Sequence, residues 1–79
     1  MRKKMTKNEL AILKLLKENQ KATYSEIEPK MEIQNHDKYW TTFSTICSLI
    51  SSGVIVSNNK YPSDYSLTAY GRVKVKEVL

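Results

Sequence analysis

The sequence is poor in the residues from which disulfides, metal sites and phosphate-binding loops are built. It holds one cysteine, Cys47, and one histidine, His36, so an internal disulfide is excluded. A zinc site would depend on carboxylates, and no suitable spacing of them is present. The two glycines, Gly53 and Gly71, cannot form a glycine-rich loop that cradles phosphate. We therefore expect a protein that is not an enzyme and that has no cofactor, no metal and no small-molecule ligand.

Long apolar runs are missing as well. No stretch approaches the roughly 20 apolar residues that a membrane-spanning helix needs. The basic start, Met1 to Lys4, leads into polar residues where a signal peptide requires its apolar segment. We expect a cytoplasmic protein without a membrane partner. The 79 residues suffice for a single domain, 1–79, with a thin core that association with a second copy would help.

Charge is present in moderate excess of one sign. The sequence has 13 Lys and Arg against 8 Asp and Glu, which gives a net charge of +5. This balance suits a polyanionic partner, because each phosphate that is neutralised releases condensed counterions and adds affinity. It is also common in proteins that bind nothing acidic, so it does not identify a partner by itself.

The first helix is predicted from a capping box. In Thr6-x-x-Glu9 the hydroxyl and the carboxylate can each accept the backbone N–H of the other residue. This signal follows a basic arm, 1–5, and predicts a helix over 7–19. Three apolar residues of that helix share one face at helical spacing: Ile12, Leu13 and Leu16.

A second, shorter helix is predicted over 24–31. Two overlapping capping boxes leave its start at Tyr24 or Glu26. Pro29 is tolerated only near the first turn of a helix, so the helix should be about two turns long. Ile27 and Met31 lie four residues apart and should be buried.

The third helix, 37–52, is predicted from an uninterrupted segment that Asp37 can cap and Gly53 can end. His36, just before it, is expected in a surface loop. Cys47 is interpreted as a small core side chain. Four residues recur at spacings of three and four and are expected to form its buried face: Phe43, Ile46, Leu49 and Ile50.

A β-hairpin, 54–67, and a last helix, 69–79, complete the chain. The run Val54-Ile55-Val56 is typical of a strand, Asn58 to Lys60 is typical of a turn, and Tyr65-Ser66-Leu67 alternates as a returning strand. Thr68 can cap the last helix, although the alternation from Val73 to Lys76 would fit a strand equally well. The expected fold is α+β, mainly α: a winged helix-turn-helix with a three-helix core, a two-stranded wing and a C-terminal helix.

Two patterns strengthen this expectation by resemblance. The stretch Ile46-x-x-Leu49-x-x-x-Gly53-Val54-Ile55 resembles the end of the recognition helix in winged-helix regulators. The stretch Tyr65-Ser66-Leu67-Thr68-x-x-Gly71-Arg72 is similar to the element that closes their wing and opens the next helix. Together they resemble winged helix-turn-helix DNA-binding regulators of the PadR- and MarR-like superfamily, without assigning a subfamily. The chain lacks the long dimerisation helices of both groups, so effector binding is not implied.

The resemblance implies that helix 38–52 docks in the major groove of DNA, with the wing on flanking backbone. Tyr39 and Trp40 could instead pack beneath the second helix. No arginine lies on this helix to read guanine, so we expect modest specificity or a preference for A·T-rich sites. The candidate DNA-binding residues lie on the helix, the hairpin tip and the basic arm: Lys38, Tyr39, Trp40, Thr41, Ser44, Thr45, Ser48, Asn58, Asn59, Lys60, Arg2, Lys3 and Lys4.

Two functions of different classes follow. The first is a transcriptional regulator, expected to be a repressor, that binds double-stranded DNA as a homodimer joined by the C-terminal helix. On that helix Tyr70 and Val73 lie on one side and Val75, Val78 and Leu79 on another, so one side should remain exposed for the dimer contact. The second is a protein–protein interaction module in a larger assembly, since Tyr and Trp are enriched at interfaces.

Overall fold

The computed structural model describes residues 5–33, 36–58 and 63–79. These residues form an α+β fold that is mainly helical, as expected from the sequence. A 3-10 turn, Glu28–Lys30, extends the second helix. The elements in chain order are α1 (Lys7–Asn19), β1 (Lys21–Thr23), α2 (Tyr24–Ile27), α3 (Lys38–Ser51), β2 (Ile55–Ser57), β3 (Asp64–Leu67) and α4 (Ala69–Val78).

Capping residues open the first two helices as the sequence predicts. The Thr6 hydroxyl accepts the Glu9 N–H, and the Glu9 carboxylate accepts the Thr6 N–H at 2.9 Å. Thr23 and Glu26 make the same reciprocal pair, so α2 begins at Tyr24 and the alternative start at Glu26 is excluded. Both helices therefore begin where short-range hydrogen bonding satisfies their free N–H groups.

The last two helices are capped by single side chains. The Asp37 carboxylate accepts the Trp40 N–H at 2.8 Å, and the Thr68 hydroxyl accepts the Gly71 N–H at 2.9 Å. The segment after Thr68 is a helix, which settles the choice between helix and strand there.

The sheet has three antiparallel strands in the order β1-β3-β2, one more than the two-stranded wing that the sequence predicts. The additional strand, Lys21–Thr23, is too short to show alternation, and it exists because its backbone pairs with β3. Ala22 and Ser57 both lie opposite Tyr65, so these three side chains share the face of the sheet that packs against the helices.

One buried core joins α1, α3, the sheet and α4, and it contains Ile12, Leu13, Leu16, Ala22, Ile27, Met31, Ile46, Leu49, Val54, Ile55 and Val75. The predicted inner faces of α1 and α2 are confirmed. Cys47 of α3 is half-buried and is not among the buried residues of this core.

The predicted buried face of α3 is wrong for two of its four residues. Phe43 is 50% exposed and Ile50 is 40% exposed, whereas Thr41 and Thr42 are buried. The hydroxyls of these threonines donate to the carbonyls of Asp37 and Lys38, one turn earlier. Because their polar atoms are satisfied within the helix, the threonines can be buried, and the inner face rotates away from Phe43 and Ile50.

The two glycines fix how α3 leads into the hairpin and α4. Gly53 has a φ of 77°, the left-handed conformation expected after the end of α3. Gly71 lies against the backbone carbonyl of Val54, where a Cβ atom would collide. The Thr68 N–H donates to the Val54 carbonyl at 3.0 Å and stabilises the same junction. α4 is thereby packed directly against the start of the hairpin.

α4 buries one of its two apolar sides. Val75 is 4% exposed and Val78 packs against the core, whereas Tyr70 and Val73 are more than half exposed. Among the described residues, no helix is both long and apolar enough to cross a membrane.

Candidate nucleic-acid interface

The first turn of α3 faces solvent. Lys38 is exposed, Tyr39 is 63% exposed and Trp40 is 46% exposed. The Tyr39 ring also contacts α2, with its centroid 5.9 Å from that of Tyr24. Tyr39 therefore both rests on α2 and presents most of its surface outward, while Trp40 keeps about half of its surface available to a partner.

The hydroxyl residues of α3 differ in what they can offer a ligand. Thr41 is 1% exposed, so its place among the candidate DNA contacts is wrong. The half-buried Ser44 and Thr45 both donate to the Thr41 carbonyl, at 3.2 and 2.7 Å. Ser48 donates at 3.0 Å to the buried Glu9 carboxylate of α1. Of the four, Ser44 and Thr45 retain partial exposure near the first turn, whereas Ser48 joins α3 to α1.

An aromatic row runs from α2 onto α3 and consists of Tyr24, Tyr39 and Phe43. The rings of Tyr39 and Phe43 are stacked, with centroids 5.8 Å apart and planes 6° apart. Ile50 extends the exposed apolar surface toward the end of α3. The outward face of α3 is thus aromatic and aliphatic, with Lys38 as the cation at its beginning.

Two tyrosines near this row have raised pKa values. The Tyr24 hydroxyl is buried, and its desolvation, followed by its interaction with the Glu28 carboxylate, raises its pKa, while Thr42 lowers it slightly. Burial also raises the pKa of Tyr65, with smaller contributions from Cys47 and Tyr39. Tyr65 of the hairpin is partly buried against the core.

The base of the hairpin loop is closed by Asn58. Its N–H donates to the Asp64 carbonyl at 3.1 Å, and its side-chain oxygen accepts the Asp64 N–H at 3.4 Å. Asn58 is exposed, but this oxygen serves the hairpin. The other candidates of the tip and the arm lie outside the described residues: Asn59, Lys60, Arg2, Lys3 and Lys4.

The sequence analysis did not identify a cluster of cations that lies near the end of α1. A groove of about 590 Å³ lies between the end of α1, β3 and α4, and it is lined by Leu16, Lys17, Gln20, Ser66, Leu67, Arg72, Val75 and Lys76. We call it the basic groove, because its charged residues are Lys17, Arg72 and Lys76. The spacing of Arg72 and Lys76, one helical turn, was a usable signal. The position of Lys17 in the same groove could not be predicted from the sequence, because it depends on the packing of α1 against α4.

A second groove, the α3–α4 groove, has a volume of about 670 Å³. Its lining includes Met5, Val54, Tyr70 and Val73, together with charged residues of both signs. It continues the exposed side of α4. Within the described ranges, no three His, Cys, Asp or Glu residues lie close enough together to hold a metal ion.

Neither a protein-family model nor a curated protein matches this chain.

Proposed function

We propose that this protein is a winged helix-turn-helix DNA-binding regulator. The observation that carries the proposal is the setting of α3: its first turn is exposed, α1 supports it from behind, and the β2–β3 hairpin follows it directly. A helix that enters the major groove needs an exposed first turn on a fixed support, and a hairpin beside it can reach flanking backbone. The net charge of +5 suits a polyanion.

The contacts proposed to DNA are narrower than the sequence alone suggests. Lys38 and the exposed rings of Tyr39 and Trp40 would meet the duplex, with Ser44 and Thr45 beside them. The hairpin tip and the basic arm are proposed to contact flanking phosphates, because amides and cations are common there. With no arginine on α3, the proposed preference is for A·T-rich sites.

The proposed biological role is repression in the cytoplasm, by covering a promoter. A dimer would place two copies of α3 on two half-sites. Tyr70 and Val73 are the apolar residues of α4 left exposed, beside the α3–α4 groove, and they are proposed as the dimer contact. Lys74 and Glu77 flank them and pair at 3.5 Å within one chain, so a two-fold contact would bring both signs of charge together.

The test of the DNA proposal compares Lys38→Gln with Lys14→Gln. Both replacements remove one exposed cation from a helix, but Lys14 lies on α1 outside both grooves. Fluorescence anisotropy with a labelled A·T-rich duplex at low salt should show weaker binding for Lys38→Gln and near-normal binding for Lys14→Gln. Equal effects of the two variants would contradict a specific role for α3.

A second candidate function, a protein–protein interaction module, is favoured by the aromatic row. Phe43 and Ile50 are exposed on the face of α3 that DNA would occupy, and a duplex gains little from aliphatic and phenyl surface. Phe43→Ser distinguishes the two functions. It should disrupt binding to a protein partner and leave the electrostatic part of duplex binding intact.

A further inference from the structure

We propose that the basic groove is a second phosphate-binding site, which takes phosphate groups of the nucleic-acid backbone independently of α3. The inference rests on the proposed function for the source of the phosphates, and on the groove itself for the chemistry.

The charge of the groove is of one sign. Lys17, Arg72 and Lys76 line it, and none of the described residues that line it is acidic. Within the part of the chain that the structure describes, the ion pair found joins Lys74 to Glu77, which lie on the α3–α4 groove. No ion pair found among the described residues therefore neutralises the three cations of the basic groove, and they can bind an anionic ligand.

Arg72 differs from the two lysines in its position along its helix. Lys17 and Lys76 lie in the last turns of α1 and α4, where cations stabilise the helix dipole. Arg72 lies in the first turn of α4, where the dipole disfavours a cation. Arg72 and Lys76 lie four residues apart on α4, where like charges repel each other, and a bound anion would relieve this repulsion.

Neutral polar groups lie among the cations. Gln20 follows α1 with a φ of 68°, and its N–H donates to the Leu16 carbonyl at 2.8 Å. Ser66 of β3 lines the same groove. A side-chain amide, such as that of Gln20, is a donor that phosphate oxygens use in nucleic-acid complexes.

The groove is separate from the surface proposed to read DNA. No residue of α3 lines it, and its walls come from α1, β3 and α4. A phosphate bound there contributes affinity that does not depend on base sequence, and it would do so in addition to contacts made by Lys38.

The test measures the salt dependence of duplex binding by the full chain. The Arg72→Gln, Lys76→Gln double variant removes two cations from the groove, and the Lys7→Gln, Lys14→Gln double variant removes two from the exposed surface of α1. Each phosphate contact that is lost should reduce the slope of log K against log salt by about 0.9. We expect the groove variant to lose about 1.8 and the α1 variant to lose much less.

Two results would separate this inference from the proposed function. If the two double variants behave alike while Lys38→Gln weakens binding, the groove is not a backbone site and the DNA proposal stands. If the wild-type chain binds no duplex, a titration with inorganic pyrophosphate tests whether the groove binds phosphate. Amide chemical shifts are used to monitor this titration. Shifts at Gln20 and Ser66 that the groove variant abolishes would assign the site to a small phosphorylated anion. The absence of such shifts would overturn the proposal.

Discussion

At the scale of single residues, hydroxyl groups determine where elements begin and which faces they bury. Thr68 shows this most clearly, because its oxygen accepts the Gly71 N–H while its hydroxyl donates to the carbonyls of Gly53 and Val54. One side chain thus caps α4 and satisfies the backbone at the end of α3. Its removal should affect both elements together.

Thr68→Val removes this hydroxyl while nearly preserving the shape of the side chain. Loss of a helix N-cap costs about 1 kcal/mol. The Gly53 carbonyl also loses its hydroxyl donor, whereas the Val54 carbonyl still accepts the Thr68 N–H. We expect urea denaturation to show a free energy of unfolding lowered by about 1–2 kcal/mol. Thr68→Ser retains the hydroxyl and should lose much less. Equal losses in the two variants would show that the methyl group, and not the hydroxyl, matters here.

Tyr24 gives the protein a sensitivity to alkaline pH. Its folded pKa is raised above the ordinary value of 10.0 because burial disfavours the phenolate. A raised pKa means that the folded state prefers the protonated phenol, so the contribution is complete below pH 10.0 and is lost as pH rises through the folded pKa. The free energy of unfolding should therefore fall above pH 10.0.

Tyr24→Phe should flatten this alkaline decline, while Tyr65 still contributes to it for the same reason. Tyr70→Phe is the matched control, because Tyr70 lies on the exposed side of α4. Urea denaturation at a series of alkaline pH values checks the prediction. A decline as steep in Tyr24→Phe as in the wild type would refute it.

At the scale of elements, α4 is positioned by a close approach that helix propensity does not anticipate. Gly71 lies in the first turn of α4, in contact with the Val54 carbonyl. Propensity alone predicts that alanine in a helix interior stabilises by about 0.8–1.0 kcal/mol relative to glycine. Packing predicts the opposite, because overpacking against a backbone atom typically costs about 1–3 kcal/mol.

We expect Gly71→Ala to destabilise the protein and to shift amide signals at Val54 and Thr68. Thermal denaturation followed by circular dichroism measures the first effect, and heteronuclear NMR the second. A melting temperature above that of the wild type would mean that propensity outweighs the contact.

How far the sequence predicts these elements depends on the range of the interactions involved. The starts of the helices are local, since each cap acts within three residues, and the sequence predicts those of α1 and α3. For α2 it offers two starts, and after Thr68 it fits a helix or a strand, so the structure decides both. β1 is missed because it depends on pairing with β3, more than 40 residues later by the register of Lys21 and Ser66. Local signals cannot contain that information.

The candidate site follows the same rule. The start of α3 follows from its cap. The exposure of Phe43 and the burial of Thr41 do not, because two helical faces fit the spacing and tertiary packing chooses between them. Lys17 and Arg72 line the same groove although most of the sequence separates them, so the groove can be recognised only in the folded structure.

At the scale of the whole molecule, two features bear on assembly: an exposed apolar side of α4 and a small core. We propose a dimer through Tyr70 and Val73, and Val73→Glu should disrupt it by placing two carboxylates in the contact. Sedimentation velocity of the wild type at high micromolar concentration should show a dimer, and the variant should be a monomer with unchanged circular dichroism. A monomeric wild type would show that Tyr70 and Val73 do not form a dimer contact.

Binding to DNA can be measured by titrating the full chain with A·T-rich and G·C-rich duplexes at several salt concentrations. We expect binding at low salt, with log K falling linearly with log salt by about 0.9 for each phosphate contacted. We also expect a modest preference for the A·T-rich duplex. Failure to bind either duplex at low salt would contradict the account.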